Sequence, residues 1–183
     1  MTDNKIKKLI QELESDNDKH RYKSFQILLP LSEKEPEKLY PFWDVFVSRL
    51  KKEEVSNKHY AINLIGSLVK VDKQNKFEKI FDLFYKHLSH ESPVVSPHIA
   101  GNSGKIVNAK PQLEEKITKK LLDSKIIEKT RYPDLMNSYV IQAFDEYFDK
   151  IKNKDKILNF VEAQLNSTSP KTKKAAKQFL LKR

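Results

Sequence analysis

Asn17-Asp-Lys-His-Arg-Tyr-Lys-Ser-Phe-Gln-Ile-Leu28 decides the fold, because its layout returns along the chain. A polar residue opens the stretch, a basic one follows at Arg21, a small one at Ser24 and a large apolar one at Leu28. Equivalent centres fall at Ile65, Ser103, Ala143 and Leu180, so the intervals are 37, 38, 40 and 37 residues. A near-constant period in this range belongs to arrays in which each unit stacks on its neighbours instead of joining one central core.

Between the centres the apolar residues keep helical spacing. Leu39, Phe42, Trp43, Phe46, Val47 and Leu50 form one stripe; Phe77, Ile80, Phe81, Phe84 and Leu88 form another. Met136, Tyr139, Val140, Ala143, Phe144, Tyr147 and Phe148 make a broader stripe, as a helix packed on two sides requires. Polar stretches with Pro or a capping residue interrupt these runs, at Glu33 to Pro36, Glu53 to Asn57, Ser89 to Pro93, Asn108 to Pro111, Thr130 to Pro133 and Ser167 to Pro170. The pattern predicts ten helices, at about 3–14, 18–31, 36–51, 56–71, 75–89, 93–108, 111–123, 133–150, 154–166 and 169–182. They pair into five antiparallel hairpins, and no linker divides the chain, so one domain over 1–183 is expected.

The second helices of these hairpins resemble the HEAT repeat, whose second helix follows D-P-x-V-R-x-x-A-x-x-x-L-G. Ser169-Pro170, Lys173, Ala176 and Leu180 occupy its positions in the last unit, and Asn17, Arg21, Ser24 and Leu28 in the first. Lys58, Ala61, Ile65 and Gly66 do so in the second. The third fits in part, through Ser92-Pro93, Val95, Ser103 and Gly104, with Ser96 at the basic position and Ile99 at the small one; the fourth keeps little beyond apolar spacing. The resemblance implies an all-α, right-handed superhelix with its second helices on the concave face. It also implies a scaffold or binding role far more often than catalysis.

Composition narrows the possibilities. The chain has no cysteine, which removes disulfides, thiol nucleophiles and thiolate metal sites. No apolar run approaches the roughly 18 residues of a membrane span, and Met1 to Gln11 is too often interrupted by charge to be a signal peptide. A cytoplasmic location and no membrane association are therefore expected. No phosphate loop, nucleophile elbow, catalytic triad or paired-carboxylate arrangement stands out, so neither an enzyme nor a cofactor is expected. His87 and His90, three apart, lack the further ligands a metal site needs. Trp43 with Asp44 invites comparison with HEAT-like alkylpurine DNA glycosylases, but Trp43 falls inside a regular apolar stripe and reads as core.

Two surfaces remain as candidates for binding. The formal net charge of +10 is concentrated: residues 150–183 hold 10 Lys/Arg against 2 Asp/Glu. Lys171, Lys173, Lys174 and Lys177 crowd the last helix, either as the polar face a terminal repeat needs or as a patch for nucleic acid or an acidic protein. With only four Arg in the chain, bidentate readout of phosphates or bases is disfavoured. In the third unit, Gly101 and Gly104 lie inside a helix, each costing roughly 1 kcal/mol relative to Ala. They serve either close packing or a partner-facing groove. His98, Asn102 and Lys105 share a face there, and Asn63 and Ser67 join them from the preceding unit as candidate partner-binding residues. A protein partner on the concave surface is the leading expectation, nucleic acid bound by the basic last hairpin the second, and a diverged glycosylase the third.

Overall fold

The computed structural model describes residues 1–183, and every regular element in it is helical. The α-helices are α1 (Asp3–Leu13), α2 (Asp18–Lys34), α3 (Pro36–Leu39), α4 (Trp43–Leu50), α5 (Val55–Leu68) and α6 (Lys76–Tyr85). They continue with α7 (Val95–Ala109), α8 (Glu114–Leu121), α9 (Ser124–Ile127), α10 (Pro133–Tyr147), α11 (Lys154–Ala163) and α12 (Pro170–Leu180). Short 3-10 turns extend several of them. The chain separates into two compact units, 1–79 and 80–183, with the division inside α6.

Most helix starts follow from local chemistry. Asn17 accepts from Lys19 N at 2.9 Å, Asp123 from Lys125 N at 3.1 Å and Ser169 from Thr172 N at 3.3 Å, each satisfying an amide with no intrahelical acceptor. Pro36, Pro133 and Pro170 each occupy the first helical position, where a missing N–H costs nothing. At α6 the cap comes from further back, where both Asp72 carboxylate oxygens accept, one from Lys76 N and the other from Phe77 N.

In the first unit α1 packs on α2, α4 on α5, and α2 on α5. Leu13, Leu28, Leu39, Trp43, Phe46, Leu50, Ile65 and Leu68 form its dry centre. Trp43 is thus core, at 1% exposure. Phe25 stacks on Tyr60 with ring centroids 4.5 Å apart, joining α2 to α5. In the second unit α10 sits between α7 and α12, which explains its broad apolar stripe. Phe144 meets Phe160 edge-on at 6.0 Å and Phe148 meets Phe179 at 5.3 Å, tying α10 and its 3-10 extension to the last hairpin.

The single helix expected over 36–51 is divided into α3, a 3-10 turn at Tyr40–Phe42 that holds Pro41, and α4, and three further local readings change. Helix α2 runs through Pro30 to Lys34, beyond the expected end at 31, with buried Leu31 and Ser32 holding the last turn against the core and Ser32 Oγ donating to Leu29 O. The weakly patterned stretch 123–133 contains α9, whose Ile127 is buried. In α12 the buried residues are Thr172, Ala175, Ala176 and Phe179, so Leu180 is half-buried and the inward stripe is turned by one residue from its expected centre.

Candidate functional site

The recurring basic position does a recurring job. Arg21 Nη1 donates to Ser15 O at 3.0 Å and Asp16 O at 3.1 Å. Lys58 Nζ donates to Lys52 O at 2.6 Å and Glu53 O at 2.5 Å. Ser96 Oγ donates to His90 O at 2.7 Å. In all three the strongest feature is the same: a side chain on the second helix reaches a carbonyl six residues back, in the turn that leads into that helix. The accepting carbonyls, at 15, 52 and 90, are spaced 37 and 38 residues apart, as the donors are. Arg21, Lys58 and Ser96 are all buried, at 7%, 8% and 1% exposure. Burying a charge is costly unless it is well hydrogen-bonded, and turn carbonyls otherwise lack donors, so each need meets the other. Lys173, at the corresponding place in α12, is exposed.

Ser103, the polar residue at an apolar centre, is fully buried. Its Oγ donates to Ile99 O at 2.9 Å and lies 3.0 Å from the Tyr85 hydroxyl. The substitution thus pairs a buried phenol with a buried hydroxyl. Burial drives the Tyr85 pKa far above its ordinary value, so it stays protonated.

The two glycines of α7 have opposite surroundings. A Cβ at Gly104 would lie 2.7 Å from the Cβ of Glu146 on α10, so that glycine serves close packing. A Cβ at Gly101 would meet nothing within 4 Å. His98 and Gly101 are half-buried and Lys105 is exposed, three residues at i, i+3 and i+7 along one side of α7. Asn102 is 4% exposed and donates to His98 O at 2.8 Å, so its amide is turned onto its own helix. Across from α7, partial burial raises the Glu146 carboxyl above the usual carboxylate range, and Lys105 opposes the shift. Asn108 Nδ2 donates to Glu146 O at 3.1 Å, and Lys150 Nζ to Asn108 Oδ1 at 2.6 Å.

In α5, Asn63 is half-buried and donates to His59 O at 2.8 Å, while Ser67 is 4% exposed and donates to Asn63 O at 3.1 Å. Of the five candidate partner residues, Ser67 and Asn102 are therefore buried, leaving Asn63, His98 and Lys105 with surface to offer. From the sequence, close packing and a partner-facing groove are both open for the two glycines; which glycine is packed and which is open depends on the neighbouring helix.

Lys171, Lys173, Lys174 and Lys177 are all exposed on α12. The Lys171 ammonium sits 3.8 Å from the centroid of the Tyr139 ring. Nearby cations are neutralised instead: Arg183 Nη2 pairs with Asp145 Oδ1 at 2.7 Å, and Lys182 Nζ with the other oxygen of the same carboxylate. His87 is buried with its ring 6.1 Å from that of His90, and His90 Nδ1 accepts from Ser92 N at 3.0 Å. No group of three or more His, Asp or Glu side chains is arranged to hold a metal ion. No helix is long and apolar enough to cross a membrane. No protein-family model, curated protein or solved structure matches the chain.

Proposed function

We propose that this chain is a non-catalytic HEAT-type helical-repeat scaffold, a right-handed array that takes a protein partner along its second helices. The repeat reading is supported by the buried donor that returns at Arg21, Lys58 and Ser96 with spacings of 37 and 38 residues. A side chain recurring at that period with the same partner six residues back is what a duplicated hairpin retains.

The observation that carries the binding reading is the side of α7 bearing His98, Gly101 and Lys105. An interior glycine costs helix stability, and Gly104 repays that cost through packing whereas Gly101 faces open space. Close approach of another backbone is the use an open helical glycine has. Polar His98 and cationic Lys105 flank it and suit a partner segment offering acceptors or carboxylates. A photo-crosslinking residue at position 101 tests this in lysate from the protein's own source. One discrete adduct is expected, weakened by Lys105→Glu and absent when the crosslinker stands at exposed Lys154. Equal labelling from both positions would reject the α7 surface.

A second reading has its own support. Lys173, Lys174 and Lys177 are exposed cations on one short helix, and clustered lysines supply sequence-independent affinity for phosphate backbones. It requires binding of labelled DNA or RNA that falls steeply between 50 and 300 mM salt, on the order of the counterions released. Affinity indifferent to salt removes it.

A further inference from the structure

The first unit holds a cleft of about 310 Å³ where the α1–α2 turn faces the α4–α5 turn. Every residue lining it is polar or charged, including Glu14, Asp16, Arg21, Arg49, Lys52 and Glu53. A cleft without one apolar wall residue is unlike the seams of the helical core. Its two arginines differ in how they are compensated.

Arg21 meets carboxylates as well as carbonyls, and although its Nε, like that of Arg49, is buried without an acceptor, its charge is paired. Beyond the two turn carbonyls held by Nη1, its Nη2 lies 3.1 Å from Asp18 Oδ1 and 3.1 Å from Glu54 Oε2. Arg49 is only 4% exposed, yet no carboxylate pairs with it. Its Nη1 donates to Asn57 Oδ1, and Asn57 turns its own amide to Glu54 Oε2 at 2.5 Å. The Nε of Arg49 is buried without any acceptor. Burial depresses the Arg49 pKa, with the Glu14 charge opposing. A buried guanidinium bonded to one neutral amide is a charge in want of a partner.

The rim carries the opposite sign. Glu14, Asp16 and Glu53 are exposed and none is in an ion pair; Lys52 is the one exposed cation among them. Three carboxylates around the mouth repel a dianion such as phosphate. A simple amine would satisfy the rim and leave Arg49 as it is. A ligand carrying both charges close together answers both parts of the cleft.

We propose that this cleft binds a small zwitterion of amino-acid type, its carboxylate on the Arg49 guanidinium and its ammonium among Glu14, Asp16 and Glu53. The planar Nε–Nη2 edge of arginine matches a carboxylate in the two-bonded, side-on arrangement. The Nε of that edge is buried in this structure, so docking requires the Arg49 guanidinium to move toward the cleft. The site stands independently of any partner on α7.

Titration calorimetry of the full chain against the twenty standard L-amino acids tests it, with propionate, inorganic phosphate and propylamine as single-sign controls. At least one amino acid is expected to bind, with each control at least about tenfold weaker. Glu14→Gln combined with Glu53→Gln changes only exposed rim groups and is expected to weaken the amino acid about tenfold. Arg49→Lys keeps the charge and removes the side-on edge, with a loss of similar size expected. No heat from any amino acid at about 10 mM overturns the proposal, as does phosphate binding ahead of the zwitterions or an unchanged affinity in the rim variant.

Discussion

Lys58 and Lys173 hold the same place in the spacing read from the sequence and live in different surroundings. Lys58 is 8% exposed, its ammonium closed over two turn carbonyls; Lys173 stands out in solvent on α12. The contrast teaches that a motif position specifies a residue type and not a task. Where the preceding turn folds back over the helix, the cation becomes a staple for backbone acceptors. On α12 the neighbouring polar group looks elsewhere: Ser169 caps Thr172 N, and Thr172 Oγ1, fully buried, donates to Asp134 O on α10. The cation there is left for the surface.

Breaking the staple gives the largest expected effect. Lys58→Met keeps the length of the stem and removes the ammonium, leaving two turn carbonyls without a donor; we expect about 2–3 kcal/mol of lost stability. Urea unfolding reads this as a lower midpoint with an unchanged slope. The two glycines sharpen the contrast between packing and open surface. Gly104→Ala puts a methyl against the Glu146 side chain and is expected to cost about 1–2 kcal/mol. Gly101→Ala meets open space and is expected to stabilise by about 1 kcal/mol while weakening any α7 partner.

A pH-dependent difference comes next in size. The Tyr40 hydroxyl donates to Asp72 Oδ1 at 2.6 Å, and burial followed by that carboxylate pushes its pKa from near 10 up to about 12. The folded pKa lies above the unfolded one, so the contribution is complete below pH 10 and is lost as pH rises to about 12. Tyr40→Phe is expected to flatten that alkaline limb in thermal melts between pH 9 and 12 while leaving the region below it parallel to the parent. Smallest of all, Lys173→Met is expected to stay within about 0.5 kcal/mol of the parent, because an exposed side chain away from any partner gives up little.

Much of the helical layout was legible because apolar stripes at helical spacing and prolines at helix starts are local signals. The stripe of Leu39 to Leu50 and its buried Trp43 follow directly from that spacing. The turn α9 was not legible, since four residues with one buried Ile127 carry no period. The one-residue rotation of α12 was hidden because Phe179 and Leu180 are adjacent and equally apolar, and only the packing against Phe148 selects between them. The site was less legible than the fold. That Ser103 serves Tyr85, that Gly101 is open while Gly104 is closed, and that Arg49 faces a cleft all depend on side chains far along the chain. The burial of Ser67 and Asn102 has the same origin: spacing puts them on a helix face, and neighbouring helices decide whether that face is covered.

The most direct test of the recurring staple is the exchange of lysine ammonium protons, followed by proton–nitrogen correlation spectroscopy of the side chains near 5 °C. An ammonium held by two carbonyls out of solvent exchanges slowly enough to give a resolved signal, whereas exposed ones exchange rapidly and vanish. One slowly exchanging ammonium assignable to Lys58, lost in Lys58→Met and indifferent to Lys173→Met, is the expected result. A Lys58 ammonium exchanging as fast as that of Lys173 would contradict the staple, and with it the support it lends to the proposed repeat.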